Sequence, residues 1–116
     1  MIEWNRVISK DEIDQATEIS HNSLVFIFKH STSCGTSSMV LNRLENISQP
    51  KNSKWYFVDL LSFRDVSNYI SEKFEIRHES PQLIVLKDGK CVGHASHISI
   101  SLAFVNELTQ DLQIQD

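Results

Sequence analysis

The apolar positions of this chain fall into two kinds of run. Leu24-Val25-Phe26-Ile27-Phe28, Trp55-Tyr56-Phe57-Val58 and, after Gln82, Leu83-Ile84-Val85-Leu86 are short and unbroken. Their length and their β-branched and aromatic content predict strands buried on both faces. Elsewhere the apolar residues recur at helical spacing and predict amphipathic helices. Ile13, Ala16 and Ile19 mark a helix ending near Ser20. Val40, Leu44 and Ile47 mark one that runs to about Ile47. Val66, Ile70 and Phe74, with Tyr69 alongside, mark residues 64–74. Leu102, Val105, Leu108 and Leu112 mark a last helix capped by Ser99 or Ser101. Ser9, with Glu12 three residues on, has the spacing of a capping box and starts the first helix. Residues 3–8 read as a short edge strand or an anchoring arm.

Polar stretches separate these elements: the turn His21-Asn22-Ser23, the loop 48–53, and Arg77-His78-Glu79-Ser80 closed by Pro81. Asp88-Gly89 tolerates the positive φ of a tight hairpin, so Cys91–Ser96 returns as a strand antiparallel to the one before it. The order is α-β-α-β-α-β-β-α. The first two strands, joined through a helix, are expected to be parallel with a right-handed crossover. One mixed sheet of four or five strands with helices on both faces would bury every stripe.

Composition narrows the function. At 116 residues the chain is expected to form a single domain, residues 1–116, and 41% hydrophobic with 22% charged residues is ordinary for a folded one. Formal charge is −4, with no basic run to hold nucleic acid. The longest unbroken strand run is five residues, far short of a membrane span, and Met1–Arg6 lacks a signal-peptide core. A cytoplasmic protein with reduced thiols is expected. Cys34 and Cys91 form no C-x-x-C pair and are too few for a disulfide framework. His94 and His97, three apart, would point to opposite faces of a strand, and no metal site is expected. His21 reads as a solvated helix-end residue.

The chemistry concentrates in Lys29-His30-Ser31-Thr32-Ser33-Cys34-Gly35-Thr36-Ser37-Ser38. This stretch joins the first buried strand to the second helix, so Cys34 falls at a helix N-terminus. Backbone N–H groups are unpaired there and the helix dipole favours an anion. Cysteines so placed lose their proton more readily than a free thiol, and the thiolate is the attacking form. The small polar neighbours suit a solvent-open turn. Cys34 therefore reads as a nucleophile. Lys29 either lends it positive potential or is solvated.

That element order, with a cysteine opening the first crossover helix and Ser80-Pro81 before the penultimate strand, resembles the thioredoxin fold over nearly the whole chain. The resemblance implies a cis Pro81 beside Cys34. The run Cys34-Gly35-Thr36-Ser37 departs from C-x-x-C: serine holds the resolving position. It can donate a hydrogen bond toward a thiolate but cannot form a disulfide, so the reaction should stop at a mixed disulfide and need an outside thiol. Cys91 lies past the Asp-Gly turn, on the order of 15–20 Å of strand from Pro81. A disulfide needs Cα atoms within about 7 Å, so Cys91 reads as structural.

The run His30–Ser37, the Ser80-Pro81 strand and the closing hairpin together resemble the YtxJ-type monothiol bacilliredoxin family. That resemblance implies a thiol–disulfide oxidoreductase that removes bacillithiol from S-thiolated client proteins. Cys34 would be catalytic within a motif of Ser33, Gly35, Thr36 and Ser37. Thr32, Ser80, Pro81 and His97 would line the substrate groove. No cofactor would be bound; the small thiol is a co-substrate, and a partner redoxin is a further candidate to release it. His97 reads either as a groove residue contacting a carboxylate or as an exposed strand-end histidine, and His30 presents a similar choice. Cys34-Gly35-Thr36-Ser37 is also similar to the C-G-F-S motif of monothiol glutaredoxins, which bridge an iron–sulfur cluster. That family's Gly-Gly-acid segment for glutathione is missing from Gly93-His94-Ala95-Ser96-His97-Ile98. A non-catalytic peptide-binding module is the third reading.

Overall fold

The three unbroken runs form the centre of one five-stranded sheet. In the computed structural model, which describes residues 1–113, the elements are β1 (Trp4–Arg6), α1 (Lys10–Ile19), β2 (Leu24–His30), α2 (Gly35–Glu45), β3 (Ser53–Asp59), α3 (Arg64–Phe74), β4 (Gln82–Lys87), β5 (Lys90–Ser96) and α4 (Leu102–Gln113), with a 3-10 turn at His97–Ser99. The sheet order is β1-β3-β2-β4-β5. β1 and β2 run parallel to β3, while β4 runs antiparallel to β2 and to β5. Residues 3–8 thus supply a short edge strand rather than a free arm.

Alternation along β2 divides the interior. Leu24, Phe26 and Phe28 face Val40 and Leu44 of α2 and Val105 of α4. Val25 and Ile27 face Ile13 and Ala16 of α1 and Val66 and Ile70 of α3. Both faces of the strand are dry, which is why its apolar run is unbroken. Phe26 stacks on its register partner Trp55 with ring centroids 4.1 Å apart, and Trp4 of β1 meets Trp55 edge-on at 5.8 Å.

β2 and β3 extend past their apolar runs. Lys29 and His30 continue β2, opposite Val58 and Asp59. They are polar yet buried, held by backbone pairing that hydrophobicity alone does not reveal.

The caps differ from the simple pattern. Glu12 Oε1 accepts the Ile8 N–H at 3.1 Å and the Ser9 hydroxyl at 3.2 Å, so the carboxylate reaches back one residue past the N-cap N–H, and Ser9 makes no cap bond of its own: the expected capping box does not form as such. Of the two serines proposed for α4, Ser101 caps: its Oγ accepts the Phe104 N–H at 3.2 Å. Leu102 is 48% exposed and Phe104 packs inward with Val105, Leu108 and Leu112. At 3.6 residues per turn Leu102 lies about 120° round the helix from Leu108, too far for the inner stripe. The hairpin forms at Asp88-Gly89, both with positive φ, as a tight two-residue turn requires. The Asp88 N–H donates to Ser20 O and the Gly89 N–H to Ser20 Oγ, both at 2.8 Å, pinning the hairpin to the end of α1.

Candidate active site

The chain leaves the sheet at the end of β2 and turns once before entering α2. Cys34 is the N-cap residue of α2, in extended geometry with φ −112° and ψ 118°. Its N–H donates to Ser31 O at 3.2 Å and its carbonyl accepts the Ser38 N–H at 3.2 Å. No side chain caps the helix start, so the first-turn N–H groups stay open to an anion at Cys34. Cys34 is half-buried; Thr32, Ser33 and Gly35 are exposed, Thr36 is half-buried, and Ser31 and Ser37 are buried.

Ser37 is turned inward. Its Oγ accepts the Ser31 N–H at 3.0 Å and lies 2.7 Å from His30 Nδ1. The expected donation from Ser37 toward the sulfur is therefore not what the structure places there; both partners lie on the core side. His30 sits under the turn, not in a groove. It is 6% exposed, with ring centroids 5.9 Å from Phe28 and 5.4 Å from Phe57. Burial pushes its pKa below the usual histidine value, opposed by Asp59 and reinforced by Arg6.

Lys29 is neither solvated nor aimed at Cys34. Successive strand residues face opposite ways, so it points into the α1/α3 side, fully buried. Its Nζ donates to Ser67 O at 3.1 Å and Ser71 Oγ at 3.0 Å, and lies 3.2 Å from His78 Nδ1. Burial lowers its pKa to about 8. The signal for this was available: a lysine directly continuing a buried apolar run.

Pro81, buried, follows a cis peptide from Ser80, and its carbonyl accepts the His97 N–H at 3.0 Å. Ser80 Oγ is buried without a partner. His97 does not end the strand; it opens the 3-10 turn at φ 55°. That bend brings it to the same side as His94, against the expectation of opposite faces. Both line a shallow open groove of about 500 Å³ with Glu79, Ala95, Ser96, Ser99 and Phe104. The His97 side chain is 55% exposed and its Nδ1 lies 4.0 Å from Glu79 Oε2.

In the sequence Glu79 reads only as a loop carboxylate. A hydrogen bond from Ser96, then the charges of His97, Arg77 and His94, hold its pKa below the ordinary carboxylate value. Arg43 reads in the sequence only as a polar position of the second helix. From α2 it donates to Ile98 O at 3.3 Å and Ile100 O at 3.0 Å, tying the Cys34 helix to the turn that carries His97.

Among the described residues, no three His, Cys, Asp or Glu side chains are grouped to hold a metal ion, and no helix is long and apolar enough to cross a membrane. Cys91 is half-buried on the α1/α3 side, its Sγ 3.5 Å from Gly93 O, and burial pushes its thiol pKa up. It pairs with Leu86, whereas Ser96, at the far end of β5, pairs with Gln82 beside Pro81. Treatment with a small-molecule disulfide is therefore expected to add one adduct mass, on Cys34. A dominant Cys34–Cys91 bridge in peptide maps would contradict this placement.

A cysteine at the N-cap of α2, with Ser80-Pro81 leading into an antiparallel hairpin, is the arrangement of a thiol oxidoreductase of the thioredoxin fold. Comparison with solved structures agrees. A thioredoxin-fold protein described as a candidate oxidoreductase is 27% identical and superposes with a TM-score of 0.79, over 90% of this chain and 91% of its own. Reduced Schistosoma mansoni thioredoxin pre-protein, 20% identical, gives 0.72 over 94% of this chain and 97% of its own. Malassezia sympodialis thioredoxin, 18% identical, gives 0.69 over 96% and 91%. These last two share the fold alone. The family model "Monothiol bacilliredoxin BrxC" matches residues 5–105. The chain belongs to the monothiol bacilliredoxin family.

Proposed function

We propose that this protein acts in the cytoplasm, removing a low-molecular-weight thiol, bacillithiol, from protein mixed disulfides through Cys34 alone. The observation that carries this reading is the pairing of an accessible N-cap cysteine with a buried serine at position 37, so the turn holds one sulfur and no resolver. The Cys34 thiolate attacks the bacillithiol sulfur of the mixed disulfide. The client sulfur leaves as a thiolate and takes a proton from solvent, and bacillithiol stays on Cys34. A second bacillithiol thiolate, or the thiolate of a partner redoxin, then attacks that sulfur and expels Cys34. The client is reduced and the electrons come from the second thiol.

The groove beside Pro81 supports a polar, mixed-charge ligand. His94 and His97 can donate to carboxylates such as those of a malate, and Glu79 can accept from an ammonium or a sugar hydroxyl. Thr32 and Thr36 add hydroxyls near Cys34. The Gly-Gly-acid anchor for glutathione is absent at Gly93–Ile98, and each lost charge-assisted hydrogen bond costs roughly 1.5–3 kcal/mol. Two losses correspond to more than about a hundredfold.

The test compares one client carrying either adduct under matched conditions. The bacillithiolated form is expected to be reduced more than about a hundredfold faster, and His97→Ala is expected to narrow the gap. Equal rates would indicate a general disulfide reductase. Faster reduction of the glutathione adduct would favour the monothiol glutaredoxin reading.

A further inference from the structure

Position 37 is where a dithiol relative of this fold carries its second sulfur, and here the side chain is engaged elsewhere. Ser37 Oγ has two partners, the Ser31 N–H at 3.0 Å and His30 Nδ1 at 2.7 Å. The first is a donor, so the hydroxyl accepts it. The second contact is made in one of two ways: Ser37 donates its only proton to an unprotonated Nδ1, or a protonated Nδ1 donates to Ser37. Burial between Phe28 and Phe57 disfavours the imidazolium, and a neutral ring with its hydrogen on Nε2 leaves Nδ1 as acceptor. The charges around the ring are divided: Asp59 on β3 and Glu45 on α2 favour protonation, and Arg6 on β1 opposes it.

We propose that His30 is a positioning residue for exchange at Cys34: it draws the Ser37 hydroxyl inward, so that the residue at the resolving position clamps the turn instead of donating to the sulfur. The inference rests on the monothiol exchange reading and deepens it. The circuit joins the end of β2 to the first turn of α2 across the Cys34 turn. It also leaves the thiolate without a side-chain donor from position 37. A hydrogen bond from that hydroxyl would stabilise the thiolate, and a stabilised thiolate attacks more slowly and leaves more readily. A little under half of the strength of such a bond to a charged acceptor appears in nucleophilicity, giving about fivefold.

Removing the acceptor while keeping the ring, as His30→Phe, frees the Ser37 hydroxyl. Attack of Cys34 on iodoacetamide, measured where the wild-type rate no longer rises with pH, is expected to fall about fivefold, while release of a mixed disulfide by added thiol speeds up. Adding Ser37→Ala to His30→Phe removes the freed donor and is expected to restore attack to within about twofold of wild type. A merely structural loss would be deepened by the second change, not reversed. His30→Asn, whose Oδ1 stands where Nδ1 stood, is expected to stay near wild type. An unchanged rate in His30→Phe, or a double variant slower than the single one, overturns the proposal. If His30→Phe does not fold, the ring ¹⁵N shifts of His30 in the wild-type protein decide: hydrogen on Nε2 supports the proposal and hydrogen on Nδ1 overturns it. Failure of wild-type Cys34 to react with iodoacetamide would instead overturn the exchange reading itself, so the two failures are told apart.

Discussion

Ser37→Cys is expected to turn the protein into a self-resolving dithiol enzyme and to shorten the life of the Cys34 mixed disulfide by at least about a hundredfold. Residues three apart on a helix have Cβ atoms about 5–6 Å apart, close enough for a small adjustment to close a disulfide. To reach Cys34 the new side chain gives up the inward direction that Ser37 Oγ takes toward His30 Nδ1 and rotates about its Cα–Cβ bond. Its thiolate would attack Cys34, expel the small thiol and close a disulfide between positions 34 and 37. Intramolecular attack has an effective concentration far above the millimolar level of a free thiol. Acid quenching and intact mass would follow the adduct. If it accumulates as in the wild type, a side chain at position 37 cannot turn from the core side to Cys34, and the expected resolving geometry is wrong.

The second large effect is on stability. The Lys29 ammonium has three acceptors but no carboxylate among them, and burial lowers its pKa from 10.5 to about 8. An unfolded chain holds that proton up to 10.5, while the folded one loses it from about 8. Between these values the unfolded state binds more protons, so wild-type stability should rise with pH relative to Lys29→Met. The gain across the interval is on the order of 2–3 kcal/mol as an upper figure, since the head group lies close beneath the loop that carries His78. Cys91, Tyr56 and Tyr69, whose pKa values are raised, pull the other way but are common to both proteins and cancel in the difference. Denaturant titrations at pH 7.5, 9 and 10 measure it. Parallel stability curves for the two proteins would show that Lys29 keeps an ordinary proton affinity. Because Lys29 joins β2 to α3 and to His78, three residues before Pro81, the same variant tests whether this internal cation holds the proline loop in place.

Much of this protein is local information. Runs such as Leu24–Phe28 are apolar on both faces only if both faces are covered, so they identified the central strands and implied helices above and below. Asp88-Gly89 named its own turn because few other pairs tolerate positive φ at both positions. Cys34, set among small polar residues between a strand run and a helical stripe, was legible as an N-terminal cysteine from spacing alone. The direction of polar side chains was not, because their partners are distant in sequence. Lys29 is bound by residues 38 to 49 positions away. His94 and His97 share a groove only because the chain bends left-handed at His97 and hands its N–H to Pro81. Ser37 turns from the sulfur because tertiary packing sets His30 beneath it. Short-range periodicity determined the elements and the candidate nucleophile; the pairing of strands and helices decided which polar groups meet, since burial makes each of them take whatever partner the packed neighbour presents.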